Sequence, residues 1–220
     1  MESVCPMPLK LTVIIPVYNE QDTVLDVVRQ VEAVPLDKEI IIVEDCSTDG
    51  TREKLKTLEG NSHIQILYHE ENRGKGAAIR TAQKAVTGDV VIIQDADLEY
   101  PPSVYPKLFR YIEEDKADVV FGSRYSGSEL RVDTFWHYMG NKTLTTLSNI
   151  LTNLHLTDME TCYKMIRAPI FKEIEIECDC FGFEPEITAK LARLNCRIYE
   201  VPIPYEARHY SEGKKITWFD

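Results

Sequence analysis

Two aspartates spaced by one residue are the feature of the sequence best suited to chemistry. Asp95 and Asp97 follow the apolar run 90–93, within the segment QDADLEY at residues 94–100. Two carboxylates at the edge of a sheet are costly to desolvate without a partner. Because Mg²⁺ binds one or two carboxylates together with substrate phosphates, the pair predicts a site for Mg²⁺ or Mn²⁺, with Glu99 as a third oxygen ligand. The alternative is that Asp95 caps the next turn and Asp97 is only solvated.

A second group of polar residues is the segment VEDCSTDGT, residues 43–51. Glu44 and Asp45 end a β-rich run, and Ser47 or Asp49 can cap the helix that follows. A carboxylate in a nucleotide pocket can accept a hydrogen bond from a base N–H or a ribose hydroxyl. Ordinary helix capping explains the same residues, and the segment taken alone favours capping.

The third segment is ENRGKGAAIR, residues 71–80, in which Gly74 and Gly76 flank Lys75. Glycines permit close backbone approach, and the helix that follows offers its N-terminal N–H groups to an anion. The spacing matches neither the Walker pattern GxxxxGK[ST] nor GxGxxG. A tight turn followed by an Ala-rich helix is therefore an equally good interpretation.

The apolar pattern places these groups after the strands of an α/β fold. Patterns typical of strands cover residues 11–17, 39–43, 64–68, 89–93 and 117–121. Helical patterns cover residues 24–31, 49–58, 75–86 and 105–114, and after residue 130 a long helix at 136–154, short runs at 162–166 and 196–201, and a helix at 184–194. Strands of Ile and Val without polar alternation are typical of parallel sheets with both faces covered. Such sheets bind ligands at the carboxyl ends of their strands.

Composition limits the classes of function. The 25 Lys and Arg residues against 36 Asp and Glu give a net charge of −11, which argues against a nucleic-acid partner. No apolar run approaches the about 18 residues that a membrane-spanning helix needs, and the N-terminus does not resemble a secretory signal. The six cysteines include no CxxC pair, which favours reduced thiols and a cytoplasmic location.

The segments IIPVYNEQDTV, VEDCSTDGT, NRGKGAA, QDADLEYPP and FGSRY occur in this order along the chain. In this the sequence resembles the family 2 glycosyltransferases and, within them, the dolichyl- and polyprenyl-phosphate sugar synthases of the dolichol-phosphate mannose synthase type. The resemblance implies an α/β GT-A fold, with a mostly parallel central sheet and helices on both faces. It also implies one catalytic domain over 1–220, with a nucleotide-sugar-binding part at 1–125 and an acceptor-side part at 126–220.

The resemblance further implies roles for individual residues. It implies donor binding by Pro16, Tyr18, Glu20, Asp45, Lys75, Asp95 and Arg208. It implies metal ligation by Asp95, Asp97 and Glu99, and catalytic roles for Asp97, Asp158 and Arg124. The chain departs from the pattern at Glu44, where Asp is usual, and at Cys46, where Gly is usual. These two departures leave the shape of the base pocket and the identity of the base open.

The activity that the resemblance implies is an inverting, metal-dependent transfer of a hexose, mannose or glucose, to a polyprenyl or dolichyl phosphate. The donor would be a nucleoside diphosphate sugar, GDP-mannose or UDP-glucose, and the cofactor Mg²⁺ or Mn²⁺. One alternative is a family 2 glycosyltransferase that acts on a soluble or glycan acceptor, and another is a non-catalytic nucleotide-sugar-binding module. A sugar-phosphate nucleotidyltransferase is disfavoured because residues 16–20 contain neither Gly nor Lys.

The segment 136–156 bears on how a lipid acceptor would be reached. Leu144, Leu147, Leu151 and Leu154 recur at helical spacing, with Thr, Ser and Asn on the other faces. This pattern fits a helix lying on a bilayer, and hence a protein peripheral to the cytoplasmic face of a membrane. A helix whose leucines pack against the sheet fits the pattern equally well.

Overall fold

The computed structural model of the chain describes residues 9–127, 132, 134–180 and 182–206. Within them, one sheet contains the strands β1 (Leu11–Val17), β2 (Lys38–Glu44), β3 (Ile64–Tyr68), β4 (Val90–Ile93), β5 (Val119–Ser123), β6 (Lys164–Arg167) and β7 (Ile198–Pro202). The helices are α1 (Val24–Ala33), α2 (Thr51–Lys56), α3 (Lys75–Gln83), α4 (Tyr105–Glu113), α5 (Phe135–Thr152), α6 (Ala168–Glu173) and α7 (Phe183–Arg193).

The strand order in the sheet is β3-β2-β1-β4-β6-β5-β7. The first four strands of this order are parallel, and β6 runs antiparallel to both of its neighbours, β4 and β5. Ile92 of β4 pairs with Met165, and Phe121 of β5 pairs with Lys164. Because β6 is reversed, the loop that precedes it lies at the carboxyl ends of β4 and β5. This places the loop before β6 beside the Asp95–Asp97 turn.

The central strands are buried along most of their length, as the unbroken Ile and Val runs predicted. Ile40, Ile41 and Ile42 of β2 and all four residues of β4 lie in the core. Helix α1 buries one stripe, Val24, Val27, Val28 and Val31, whose spacing of three and four residues follows the helical period. The sheet is therefore covered on both faces, and its polar chemistry is confined to the strand ends.

The predicted strand bounds are confirmed for β1 and β3, whereas β5 begins two residues later than predicted. The N–H groups of Lys116 and Ala117 both donate to the Tyr111 carbonyl oxygen, which keeps Ala117 in the turn that ends α4. Helices α2 and α3 are shorter than their patterns predicted, and the short helix α6 was not predicted.

Helix α5 buries polar side chains and exposes apolar ones, which is the reverse of the usual arrangement. Its buried residues are Thr145 and Ser148, whereas Trp136, Ile150 and Leu151 have exposed fractions of 75%, 73% and 76%. The interpretation in which the leucines pack against the sheet is therefore wrong for Leu144, Leu147 and Leu151, which are at least half exposed, whereas Leu154, after the helix, packs against the core. Within the described part of the chain, no helix combines the length and hydropathy needed to cross a bilayer.

Candidate functional site

The turn after β4 is held in one shape by a buried glutamine. Gln94 is fully buried, and its amide nitrogen donates to the backbone oxygens of Asp95, at 2.9 Å, and Tyr100, at 3.2 Å. The hydroxyls of Tyr105 and Tyr163 donate to its amide oxygen at 2.5 and 2.6 Å. The polar face of this turn is therefore fixed by the core beneath it.

The three predicted metal ligands make separate contacts on this turn. Asp95 Oδ1 lies 2.8 Å from Lys75 Nζ, and Glu99 Oε2 accepts a hydrogen bond of 2.6 Å from the Tyr205 hydroxyl. Asp97 Oδ1 accepts a bond of 3.1 Å from the Glu99 N–H. Among the described residues, no three His, Cys, Asp or Glu side chains are grouped closely enough to hold a metal ion. The paired oxygen donors of Asp95 and Asp97 still fit a cation that takes its other ligands from phosphates.

A chain of alternating charges runs from this turn into the core. Lys75 Nζ contacts Asp95 on one side and Glu184 Oε1, at 3.1 Å, on the other, and Glu184 also pairs with the fully buried Lys164. Burial favours a lower pKa for Lys75, but the negative charges of Asp95 and Glu184 outweigh it and raise the pKa well above its usual value. Lys75 therefore keeps its charge, and its predicted contact with a diphosphate stays a prediction.

We expect Lys164→Met to destabilise the fold by about 3–5 kcal/mol, because removal of one partner of a buried pair leaves an unpaired charge. Chemical denaturation measures this loss. Lys116→Met is the matched control, since Lys116 pairs with Glu114 at the surface, and it should unfold at the denaturant concentration of the wild type. Equal stability of the two variants would contradict the assignment of a structural role to the buried pair.

The glycine segment of α3 is packed against the chain that precedes α7. A Cβ atom at Gly76 would lie 2.0 Å from the Cys178 carbonyl oxygen, and one at Gly74 would lie 2.4 Å from the Asp179 carbonyl oxygen. The Ala77 N–H donates to that Asp179 oxygen at 3.2 Å. Of the two interpretations of these glycines, the structure favours tight packing, because a backbone carbonyl already occupies the N-terminal end of the helix.

Asp45 shapes the loop before this helix. Its carboxylate is buried and accepts hydrogen bonds from the N–H groups of Arg73, at 2.9 Å, and Gly74, at 2.8 Å, and it lies 2.6 Å from His69 Nδ1. The predicted contact of Asp45 with a nucleotide base stays a prediction. Cys46, which stands where Gly is usual, has a φ of 60°, a left-handed conformation that glycine adopts without strain.

The first predicted donor turn, with Pro16, Tyr18 and Glu20, lies beside the turn after β2 and the turn after β4. The Asn19 side-chain oxygen accepts a bond of 2.7 Å from the Thr48 N–H, which ties this turn to the one after β2. The Thr23 hydroxyl donates to the Ala96 carbonyl oxygen at 2.7 Å and to Glu20 at 2.8 Å. The structure therefore brings the predicted donor-binding segments to one edge of the sheet, with Tyr18 exposed there.

Arg124 and Asp158, both predicted as catalytic, form a buried ion pair. Asp158 Oδ2 accepts from Arg124 Nε at 2.7 Å and from its backbone N–H at 2.9 Å, and Asp158 Oδ1 accepts from Nη2 at 2.8 Å. Asp158 is fully buried, and its own N–H donates to Glu200 at 3.1 Å. Burial opposes the charge of Arg124, but Tyr100 and Asp158 raise its pKa well above the usual value. Both oxygens of Asp158 are thus engaged by Arg124.

Sequence reasoning missed three polar residues of this edge, Glu184, Glu200 and Tyr205. Glu184 lies in the first turn of α7, and the Tyr205 ring packs against the Tyr100 ring with centroids 5.1 Å apart. Their partners lie far away along the chain, so no local pattern identifies them. The predicted donor residue Arg208 lies outside the described residues. The last described N–H, of Glu206, donates to the Glu99 carbonyl oxygen at 2.9 Å.

Solved structures of low identity share this fold. Glucosyl-3-phosphoglycerate synthase from Mycobacterium tuberculosis, in complex with Mn²⁺, UDP and phosphoglyceric acid, has a TM-score of 0.71 at 18% identity, over 93% of this chain and 73% of that one. S. aureus TarS in complex with UDP has a TM-score of 0.63 at 20% identity, over 88% and 58%. The fold is that of the GT-A glycosyltransferases, as predicted.

The chain belongs to glycosyl transferase family 2, whose family model matches residues 12–175. A dolichol-phosphate mannosyltransferase from Pyrococcus furiosus is 27% identical over 211 residues, 94% of this chain and 59% of the relative. An undecaprenyl-phosphate 4-deoxy-4-formamido-L-arabinose transferase from Salmonella paratyphi A is 30% identical over 212 residues, 93% of this chain and 62% of the relative. The chain therefore spans about 60% of the length of these curated relatives.

Proposed function

We propose that this protein transfers a hexose, mannose or glucose, from a nucleoside diphosphate sugar to a polyprenyl or dolichyl phosphate. The observation that carries the proposal is the exposed apolar face of α5 beside the polar edge of the sheet. Arg124 Nη2 donates to Asn141 of this helix at 3.2 Å, so the helix that bears the apolar face is bonded to the polar edge. A lipid phosphate needs both a polar site for its headgroup and an apolar path for its chain. The names of the two polyprenyl-phosphate relatives support the same acceptor class.

The donor would bind along the three turns at the carboxyl edge, in the part of the chain at 1–125, with the acceptor side at 126–220. Tyr18 is exposed at this edge, and Asp45 fixes the loop that ends at Gly74. GDP-mannose and UDP-glucose are both candidates, because Glu44 and Cys46 differ from the usual residues of the base pocket.

Asp95 and Asp97 would hold Mg²⁺ or Mn²⁺ at this edge. A bound cation of this kind neutralises the charge that grows on a leaving diphosphate. Lys75 lies against Asp95 and brings a permanent positive charge to the same place. Attack by the acceptor from the face opposite the diphosphate would invert the anomeric centre.

Helix α5 would rest on the membrane, which makes the protein peripheral to the cytoplasmic face. An amphipathic helix with an apolar face of Trp and Leu binds the boundary between headgroups and acyl chains. The described cysteines are free thiols, in keeping with a reducing compartment.

The test is an assay with GDP-mannose or UDP-glucose, Mn²⁺ and a short polyprenyl phosphate in detergent. We expect nucleoside diphosphate release and a sugar-lipid product, and much slower transfer to the matching polyprenol, whose hydroxyl proton is far less acidic than that of a phosphate monoester. Transfer to a soluble sugar alone would identify a family 2 enzyme with a different acceptor. Donor binding without turnover on any acceptor would identify a binding module.

A further inference from the structure

Glu160 is a partly buried carboxyl group to which no role has been assigned. Within the described residues it forms no hydrogen bond and no ion pair. Burial raises the pKa of Glu160, while the positive charges of Lys164 and Arg124 oppose the rise. The charged groups around it are Arg124 after β5, Asp158 on the same loop, Lys164 of β6 and Glu184 of α7.

The loop that carries Glu160 bridges the carboxyl ends of β5 and β4. On one side the Thr157 hydroxyl lies 2.6 Å from Ser123 Oγ, at the end of β5. On the other side Cys162 Sγ donates to the Ile93 carbonyl oxygen at 3.5 Å, at the end of β4. Glu160 lies midway along the loop, between the Arg124–Asp158 pair and the turn that bears Asp95. This is where the donor and acceptor parts of the sequence meet.

Two orphaned hydroxyls lie on the loops that flank this point. Among the described residues, the buried side-chain oxygens without a hydrogen-bond partner are Ser126 Oγ and Thr161 Oγ1. Ser126 follows Arg124 by two residues, and Thr161 directly follows Glu160. Buried polar atoms are normally satisfied, because leaving them unpaired is costly. Both orphaned hydroxyls therefore belong to the two loops that meet at this edge, the one after β5 and the one before β6.

We propose that Glu160, and not Asp158, is the catalytic residue that contacts the acceptor and receives its proton. Asp158 is excluded by its contacts, since Arg124 engages both of its oxygens and no part of it is exposed. Its place is structural, as the group that positions Arg124. Within the described residues the Glu160 carboxylate has no partner, and the loop that carries it lies at the same edge.

The proton transfer rests on the proposed function. The acceptor enters as the phosphate monoanion, which makes up about half of a phosphate monoester at pH 6 because its second pKa is about 6. Its hydroxyl proton passes to the Glu160 carboxylate as its oxygen forms the new bond to the anomeric carbon. The bond from that carbon to the nucleoside diphosphate breaks, and its electron pair leaves with the diphosphate. Glu160 later releases the proton to water.

The test compares Glu160→Gln with the wild type in kcat, donor KM and melting temperature. We expect kcat at pH 6 to fall by about 10²–10⁴-fold, the usual contribution of a general base, with the donor KM unchanged. Because the substitution removes an unpaired and partly buried charge, the melting temperature should stay the same or rise. Glu160→Asp should recover part of kcat. Glu113→Gln, on the exposed surface of α4, is the control and should match the wild type.

The pH profile and the choice of acceptor distinguish this role from a structural one. The wild-type rate should fall on acidification as Glu160 becomes protonated. The rate of the Gln variant should not show this fall. A difluoromethylene phosphonate acceptor, whose last proton is more acidic, should lessen the loss caused by Glu160→Gln. Full activity of the variant at every pH would overturn the proposal, as would a fall in melting temperature that accounts for the lost activity.

Slow donor hydrolysis without lipid separates this inference from the proposed function. Water also needs a base, so Glu160→Gln should reduce hydrolysis at least 10-fold, as in lipid transfer. A wild type that hydrolyses the donor through Glu160 but does not use polyprenyl phosphate would refute the acceptor class and leave the role of Glu160 standing. A wild type with neither activity would contradict both.

Discussion

Asp97→Asn is expected to abolish sugar transfer, with a loss of about 10³-fold or more in kcat. Asp97 and Asp95 are the paired oxygen donors of the turn after β4, and loss of a metal ligand removes several kcal/mol of transition-state stabilisation. Sugar-lipid formation measures the effect on catalysis. Calorimetric titration of Mn²⁺ into the protein with nucleoside diphosphate measures it without turnover, and the binding heat should be largely lost.

The matched control for this prediction is Asp37→Asn, because Asp37 is exposed and lies before β2, away from the carboxyl edge. It should keep both activity and metal binding. Full activity of Asp97→Asn would show that the turn does not hold a functional cation. Full activity of the wild type in excess EDTA would lead to the same conclusion.

Replacing Leu147, Ile150 and Leu151 together with Ser is expected to release the protein from lipid vesicles. These side chains are among the most exposed large apolar groups of α5. Each buried aliphatic side chain contributes about 1.5–3 kcal/mol, so the triple variant should bind vesicles at least about 100-fold more weakly. Sedimentation with vesicles that contain anionic lipid measures the effect. Stability should not fall, because the wild-type side chains are in water in the free protein.

Leu194→Ser is the control for this surface, because Leu194 is also exposed but lies after α7. It should sediment as the wild type does. Undiminished vesicle binding by the triple variant would contradict the membrane role of α5. A change from dimer to monomer in the same variant would instead identify the apolar face as a contact between two copies of the chain.

The sequence predicted the sheet well because local patterns determine it. The runs of Ile and Val in β1, β2 and β4 are long enough to exclude a half-exposed strand, and the polar residues that follow them mark the carboxyl edge. The helical period also predicted α5, but a period shows only that one face is apolar. Which face meets the protein depends on its neighbours, and here Thr145 faces inward because its hydroxyl accepts a bond of 3.1 Å from the Met159 N–H.

The pairing of charges at the site could not be predicted in the same way. Lys75 and Glu184 are separated by 109 positions, and Arg124 and Asp158 by 34. Lys75, Arg124 and Asp158 were each predicted for a phosphate or acceptor site when considered alone. These charged groups instead form ion pairs with one another, because a charge at a buried strand end must be paired. Glu160, which has no partner among the described residues, was overlooked for a different reason, since a single Glu in a loop gives no pattern.

The contact between the glycine segment and the chain before α7 limits which substitutions the protein can accept. Alanine at position 76 would bring its methyl carbon within 2.0 Å of a backbone oxygen, and at position 74 within 2.4 Å. A backbone atom cannot rotate away as a side chain can. A selection for folded protein alone, with no nucleotide present, would therefore retain Gly74 and Gly76. If variants keep these glycines, the reason is the close packing of two segments of the same chain. A protein that no longer binds any ligand would keep them for the same reason.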